Sequence, residues 1–208
     1  MSGLRLFTTL DIESINKQKN EIMKNLKFTL IMFITVFTFS LNAETPGKYV
    51  STKTHIKFFS TTPAEDIEAN NTTSVSTINQ KTGEVVFSVP MQGFEFDKSM
   101  MQKHFNNDKF LDTKTHPKAK LKVNIINIDQ VDFTKDGTYS ADVEGELTIK
   151  DVTKSVKEIG TLRVNAGVIE LQSKFKITLA DYGIYFVDGK PSTNVAKSVE
   201  VTVQAEYQ

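Results

Sequence analysis

Pro117-Lys-Ala-Lys-Leu-Lys-Val-Asn-Ile125 decides the fold, because Ala119, Leu121, Val123 and Ile125 are apolar while Lys118, Lys120, Lys122 and Asn124 between them are polar. A period of two belongs to a strand with one wet face and one buried face. Pro117 suits its first position, where a missing N–H costs no ladder bond. Residues 139–149 repeat the pattern: Tyr139, Ala141, Val143, Gly145, Leu147 and Ile149 share one face, and Ser140, Asp142, Glu144, Glu146 and Thr148 the other. This second run passes into Gly145-Glu-Leu-Thr-Ile-Lys-Asp-Val-Thr-Lys154, where residues 150–153 make a tight connection to a further strand over 154–163.

Outward from this centre the alternation continues. Residues 49–59, rich in Thr, Val, Ile and Phe, read as a first strand, and 72–78 as a weaker second one near an edge. Gln80-Lys-Thr-Gly83 turns the chain into 84–89, where Val85, Phe87 and Val89 share a face, so these two strands form a hairpin. Asn165-Ala-Gly167 makes a later turn before 168–179, with Ile169, Leu171, Phe175 and Ile177 in phase. The last strand sets Val199, Val201, Val203 and Ala205 against Ser198, Glu200, Thr202 and Gln204. Between the third and fourth strands, Asp97 is positioned to cap a short helix through Met100, Met101, His104 and Phe105. Residues 106–117 have no period and read as a loop pinned by Phe110 and Leu111.

Roughly eight strands without helical crossovers imply an all-β, antiparallel architecture. A closed or nearly closed barrel, with the short helix over one end, removes the edges that β-prone segments would expose. A two-sheet sandwich is the alternative, and strand count does not separate them.

The N-terminal part reads differently. Lys24 and Lys27 precede an apolar run of about 14 residues over 28–41 and then Leu41-Asn42-Ala43, the pattern of a signal peptide spanning 23–43. The run is shorter than the roughly 20 residues of a membrane-crossing helix. Residues 1–22 read as an extension without a folded pattern, with translation expected to start at Met23. The domain is then 44–208, exported to a bacterial periplasm or secreted, with no membrane span once the signal is removed. The chain has no Cys, so its core alone must hold this domain. Basic and acidic residues number 25 each, which offers no electrostatic footprint for nucleic acid.

Catalytic chemistry finds little material. His55, His104 and His116 are isolated, with no metal-ligand spacing, and nucleophile elbows, phosphate loops and Cys nucleophiles are absent. Asp142, Glu144 and Glu146 lie on a wet face. The Lys runs 118/120/122 and 150/154/157 read as solvated exterior. Asn71-Thr-Thr73 matches a glycosylation pattern and nothing more. The expectation is therefore a protein that is not an enzyme and holds no metal or cofactor. What the residues leave open is whether the apolar face closes on itself as a packed core or encloses a ligand, since barrels of about eight strands do either.

Phe94-Glu-Phe96, His104-Phe-Asn106, Phe110-Leu-Asp112, His116-Pro-Lys-Ala119, Gly145-Glu-Leu-Thr-Ile149, Val152-Thr-Lys154 and Asp181-Tyr-Gly-Ile184, in this order, resemble the YceI-like family over almost the whole of 44–208. The chain departs from the family pattern at Asp151, where Gly is more usual, and at Ala180, where Arg is. The resemblance implies a lipocalin-like barrel whose lumen holds a polyisoprenoid, a quinone or a fatty-acid-type amphiphile. On that footing the expected lumen residues are Phe58, Phe87, Val89, Phe94, Phe96, Leu121, Val123, Leu147, Ile149, Phe175 and Ile177. Small Ala119, Ala141 and Gly145 are expected to leave room among them. Met100, Met101, Phe105 and Phe110 form either a mouth or a plug at the helix end. The alternative is an extracytoplasmic interaction module with a filled core, and whether two barrels pair as a homodimer is open.

Overall fold

The structure is a computed structural model that describes residues 17–21, 23, 47–51, 53–185 and 194–208. The chain divides into two units, Met1–Glu44 and Thr45–Gln208. In the first, residues 17–21 and 23 are helical and exposed. The remainder of the expected extension and signal segment lies outside the described residues. Among those described, no helix is long and apolar enough to cross a membrane.

The second unit holds eleven strands: β1 (Lys48–Ser51), β2 (Lys53–Thr61), β3 (Asp66–Asn71), β4 (Val75–Asn79), β5 (Glu84–Pro90), β6 (Glu95–Phe96), β7 (Lys118–Ile125), β8 (Gly137–Ile149), β9 (Val152–Asn165), β10 (Val168–Thr178) and β11 (Ser198–Tyr207). One helix, α1 (Ser99–Asn106), lies between β6 and β7. All pairings are antiparallel, in the order β1-β4-β5-β7-β8-β9-β10-β11-β2-β3-β6. Because only position 52 separates β1 from β2, the sheet curls until its β4 side and its β11 side meet along one stretch of chain. β1 packs beside β11 and β2 beside β4, completing the curl.

Eleven strands replace the expected eight for a specific reason. Inward residues are odd-numbered in β1, where Ser51 is buried, and even-numbered in β2, where Thr54, Ile56 and Ser60 are buried. The phase slips by one residue between Ser51 and Lys53, so the expected single strand over 49–59 becomes two. The same slip separates β3, with Ile67, Ala69 and Asn71 inward, from β4, with Ser76 and Ile78 inward. A third slip separates β5 from β6 at the 3-10 turn Met91–Gly93. Residues 66–71, where Asp, Glu and Asn surround Ile67 and Ala69, carry too weak a strand signal to be read, so β3 is an addition, as is two-residue β6.

These three breaks lie at one level and are stitched by a fully buried side chain, Asn71. Its Nδ2 donates to Pro90 O at 2.7 Å, and its Oδ1 accepts from Thr73 N, Thr73 Oγ1 and Ser74 Oγ at 2.9, 3.1 and 3.1 Å. Thr54 Oγ1 donates to Ser74 O at 2.7 Å, tying β2 to the same bend. Gly93 is required there, since a Cβ would lie 2.1 Å from Thr73 Oγ1. Buried and hydrogen-bonded through both Nδ2 and Oδ1, Asn71 is no acceptor for a glycan.

Turn chemistry follows the hairpin rule. Lys150 and Asp151 (φ 50° and 60°) join β8 to β9, and Ala166 and Gly167 (φ 49° and 82°) join β9 to β10, both left-handed pairs that match strand twist. The exterior carries ion pairs between neighbouring strands, among them Lys57–Glu68, Lys122–Glu84, Arg163–Glu170 and Lys174–Glu200. Each exposed pair contributes little to stability but keeps the outer face wet.

Inside, the end of the barrel opposite α1 is solid. Tyr207, Ile78, Leu162, Ile169, Val85, Val164 and Ile125 are almost completely buried and belong to one contiguous core. Tyr207 and Ser76 share a 2.6 Å hydrogen bond between their hydroxyls, joining β11 to β4 through the core. Two outcomes follow. Asn71→Ala leaves Pro90 O and the Ser74 hydroxyl without their partner, and is expected to lower unfolding free energy by about 3 kcal/mol in denaturant melts. Burial pushes the Tyr207 phenol above its ordinary value of 10.0. The folded state therefore holds this proton more tightly than the unfolded one. Its contribution is full below pH 10 and is lost as pH rises beyond it. A Tyr207→Phe variant, melted across that range, should lose less of its stability with rising pH than the parent.

Candidate functional site

The other end of the barrel is hollow. Even-numbered side chains of β2, odd-numbered ones of β5, β7, β8, β10 and β11, and the helix with its flanking loops enclose an apolar cavity of about 630 Å³. Its aliphatic wall includes Ile56, Ile67, Val89, Leu121, Leu147, Ile149, Ile177, Val199, Val201 and Val203. Phe87, Phe58 and Phe175 extend this wall, with Phe87 also part of the buried core. The lumen is thus divided between the packed core and the cavity.

Phenylalanines form the helix side. Phe58 lies 5.4, 5.5 and 5.6 Å from Phe94, Phe96 and Phe105 between ring centroids, the last pair stacked. Phe105 also meets Phe94 at 5.6 Å, Phe96 at 5.0 Å and Phe110 at 6.5 Å. Edge-to-face and offset contacts of this kind add roughly 0.5–1.5 kcal/mol per pair beyond burial. Phe105, itself buried, is how an eight-residue helix too short to be stable alone is held on the barrel.

The helix is not capped as its sequence suggests. Its N-cap is Lys98, with no side-chain cap bond, because the helix begins at Ser99 and leaves Asp97 one position too early. Hydrogen bonds to neighbouring loops take over: Gln102 Nε2 donates to Phe94 O at 2.8 Å, and Thr113 Oγ1 to Asn106 Oδ1 at 2.8 Å. Lys150 Nζ, carried on the β8–β9 turn, reaches Phe110 O at 2.7 Å.

Of the lumen residues read from the sequence, Phe58, Phe87, Val89, Phe94, Phe96, Leu121, Leu147, Ile149, Phe175 and Ile177 line the cavity, and Val123 does not. Val123 pairs with Val85 and Gly145 at the packed end and is buried there. Met101, Phe105 and Phe110 line the helix side, whereas Met100 points out and is 59% exposed. The small residues act differently from one another. Ala119 does border the cavity, while Ala141 is packed into the core. Gly145 makes room for backbone, since a Cβ there would lie 2.2 Å from Lys122 O and 2.5 Å from Val123 Cα.

The sequence reading missed Ile56, Ile67, Met91, Leu179 and Ile184, and the polar rim. Alternation marked Val199, Val201 and Val203 without distinguishing cavity from core. The rim includes Glu65, His104, Asn107, Lys109 and Asn194. Glu65 accepts from Lys98 Nζ at 2.6 Å and from Asn194 Nδ2 at 3.4 Å, and the Lys98 bond lowers its carboxyl pKa. His55 lies on the exterior between Gln204 and Asn70, and His116 Nδ1 is 2.8 Å from Asp151 Oδ2. Among the described residues no group of three His, Cys, Asp or Glu is arranged to hold a metal ion.

The model of the YceI-like domain family matches residues 47–207. By structure, the chain is similar to a polyisoprenoid binding domain from Saccharophagus degradans implicated in plant cell wall breakdown. The TM-score is 0.66 at 14% identity, covering 78% of this chain and 98% of that one. It is also similar to Burkholderia cenocepacia BcnA, with a TM-score of 0.62 at 16% identity, covering 74% of this chain and 96% of that one. These likenesses concern the fold. No curated protein matches the sequence.

The ring cluster and the cavity surface separate in a paired experiment. Phe105→Ala removes the hub of the phenylalanine contacts and should cost roughly 3–5 kcal/mol of stability. Met101→Asp, half-buried at the rim, should leave the melting temperature within a few degrees of the parent while weakening uptake of an apolar fluorescent probe.

Proposed function

This chain belongs to the YceI-like family, and on that premise we propose that it is a non-enzymatic carrier or store for a long-chain amphiphile held in the barrel. The observation that carries this reading is the cavity itself: about 630 Å³, walled mainly by aliphatic and phenylalanine side chains. A site so built gains affinity from hydrocarbon at about 0.8 kcal/mol per buried methylene, less the cost of ordering the chain. Among the described residues no group of three His, Cys, Asp or Glu is gathered there to hold a metal ion.

The ligand class follows from shape and polarity. An aromatic-aliphatic wall accepts polyisoprenoid, quinone tail or fatty chain alike, because dispersion contacts do not distinguish them strongly. The likeness to a polyisoprenoid binding domain supports the first of these. Capacity is limited: at the ~30 Å³ that a water-sized group occupies in a liquid, the cavity takes roughly twenty methylenes. A longer chain must fold back or extend through an opening.

Export through a signal peptide over 23–43, and a periplasmic or secreted location, belong to the same proposal. There the protein would shield a hydrocarbon tail from water without enzymatic change. The cavity weighs against an interaction module with a filled core, since only the far half of the interior is packed.

Organic extraction of purified protein followed by mass spectrometry should release a long-chain amphiphile in near-stoichiometric amount. Saturated alcohols of increasing length, offered to the extracted protein, should bind more tightly with each added methylene until about twenty carbons and then level off. A flat series from the shortest chain onward, with no lipid extracted, would count against the carrier.

A further inference from the structure

The wall of the barrel is parted between β9 and β10. Their ladder runs from Asn165↔Val168 to Gly160↔Ser173 and stops, although β9 begins at Val152 and β10 continues to Thr178. A final side-chain bond, Ser173 Oγ to Ile159 O at 3.0 Å, marks the place. Had the register continued, Glu158 would face Phe175 and Val156 would face Ile177. Beside the paired stretch the inward side chains Leu162, Val164 and Ile169 are buried. Beyond it Val156, Glu158, Phe175 and Ile177 are all half-buried. Solvent therefore reaches the inner face along this seam. Phe175 and Ile177, on the β10 side of the parting, also line the cavity, and among the described residues none of β9 does.

Three polar residues hold the inward phase at the seam: exposed Lys154, Ser173, whose hydroxyl is bonded to Ile159 O, and half-buried Glu158. Glu158 alternates with Gly160 and Val156 on the inner face of β9 and pairs with Val143 of β8. Burial raises its carboxyl pKa. Among the described residues no cation and no hydrogen-bond donor reaches it. The rim carboxylate Glu65, in contrast, is already taken by Lys98 and Asn194. Partial burial makes the charged carboxylate less favourable there than in open water, so a hydrogen-bond donor placed beside it stabilises it.

We propose that the seam is a side slit of the cavity that seats the head of the bound amphiphile, with Glu158 accepting a hydrogen bond from a neutral hydroxyl head and excluding a carboxylate one. The inference rests on the carrier reading and deepens it by naming the head group. The hydrocarbon runs inward past Phe175 and Ile177, and the hydroxyl stays at the slit beside Glu158. A long-chain acid brought to the same place sets two negative charges side by side, which disfavours it.

The test uses the full chain, extracted of lipid, with hexadecan-1-ol and hexadecanoate competing at pH 8 against a fluorescent long-chain probe. The parent should prefer the alcohol. Glu158→Gln, which keeps shape and removes charge, should shift the alcohol-to-acid ratio toward the acid by roughly tenfold or more, the scale of one hydrogen bond to a charged group. An unchanged ratio in a variant that melts with the parent would overturn the assignment of Glu158. Because the chain has no Cys, Val156→Cys provides a single thiol in the slit. Its reaction with a charged, water-soluble thiol reagent should slow several-fold when hexadecan-1-ol is bound, and an unchanged rate would overturn the slit. Should neither ligand nor the probe bind the parent, the carrier reading itself fails and takes this inference with it.

Discussion

Asn71 is the side chain on which this architecture turns. Three ribbons of the barrel wall, β1–β2, β3–β4 and β5–β6, each slip phase at the same level, and a slip leaves backbone groups without ladder partners. A short amide with one donor arm and one acceptor oxygen satisfies groups from two of them, and Thr54 ties in the third through Ser74. Without such a hub the bend would expose unpaired polar groups to an apolar interior. With it, the wall changes direction, and a second compartment opens beyond the packed core.

The two compartments are held by different forces. At the packed end, close-fitting aliphatic groups and the Tyr207–Ser76 bond leave little free volume, so this half supplies rigidity. At the helix end the wall is kept apart by large rings packed against one another and by a helix pinned through Phe105. The cavity therefore need not be filled for the domain to be stable, because its far half already provides a core. A stable protein with vacant apolar volume is what a carrier requires. The unfinished β9–β10 ladder ends next to Phe175 and Ile177, two residues of the cavity wall.

Much of this was legible in residues. The alternation in 118–125, 139–149, 168–179 and 198–205 placed strands β7, β8, β10 and β11 and their inward faces, because a half-buried strand must alternate. Ten of eleven expected lumen side chains line the cavity. β3 was illegible: Asp66, Glu68 and Asn70 conceal the inward Ile67, Ala69 and Asn71, and a buried Asn carries no hydrophobic signal. Nor could alternation show that Val123 belongs to the packed end while Leu121, two residues earlier, borders the hollow one. Both face inward, and only the position of the bend assigns them to different compartments.

The sequence by itself determined an all-β antiparallel chain with one oily face, a short helix after Asp97, and turns within 80–83, 150–153 and 165–167. These follow from local periodicity and backbone chemistry, which are written residue by residue. Tertiary structure alone decided that the first ribbons break, that eleven strands result, that Gly145 serves a close backbone approach, and that the lumen is half filled and half open. Each of those depends on where distant segments meet, and the free volume left when a sheet closes is a property of the whole circuit, set by no single stretch of chain.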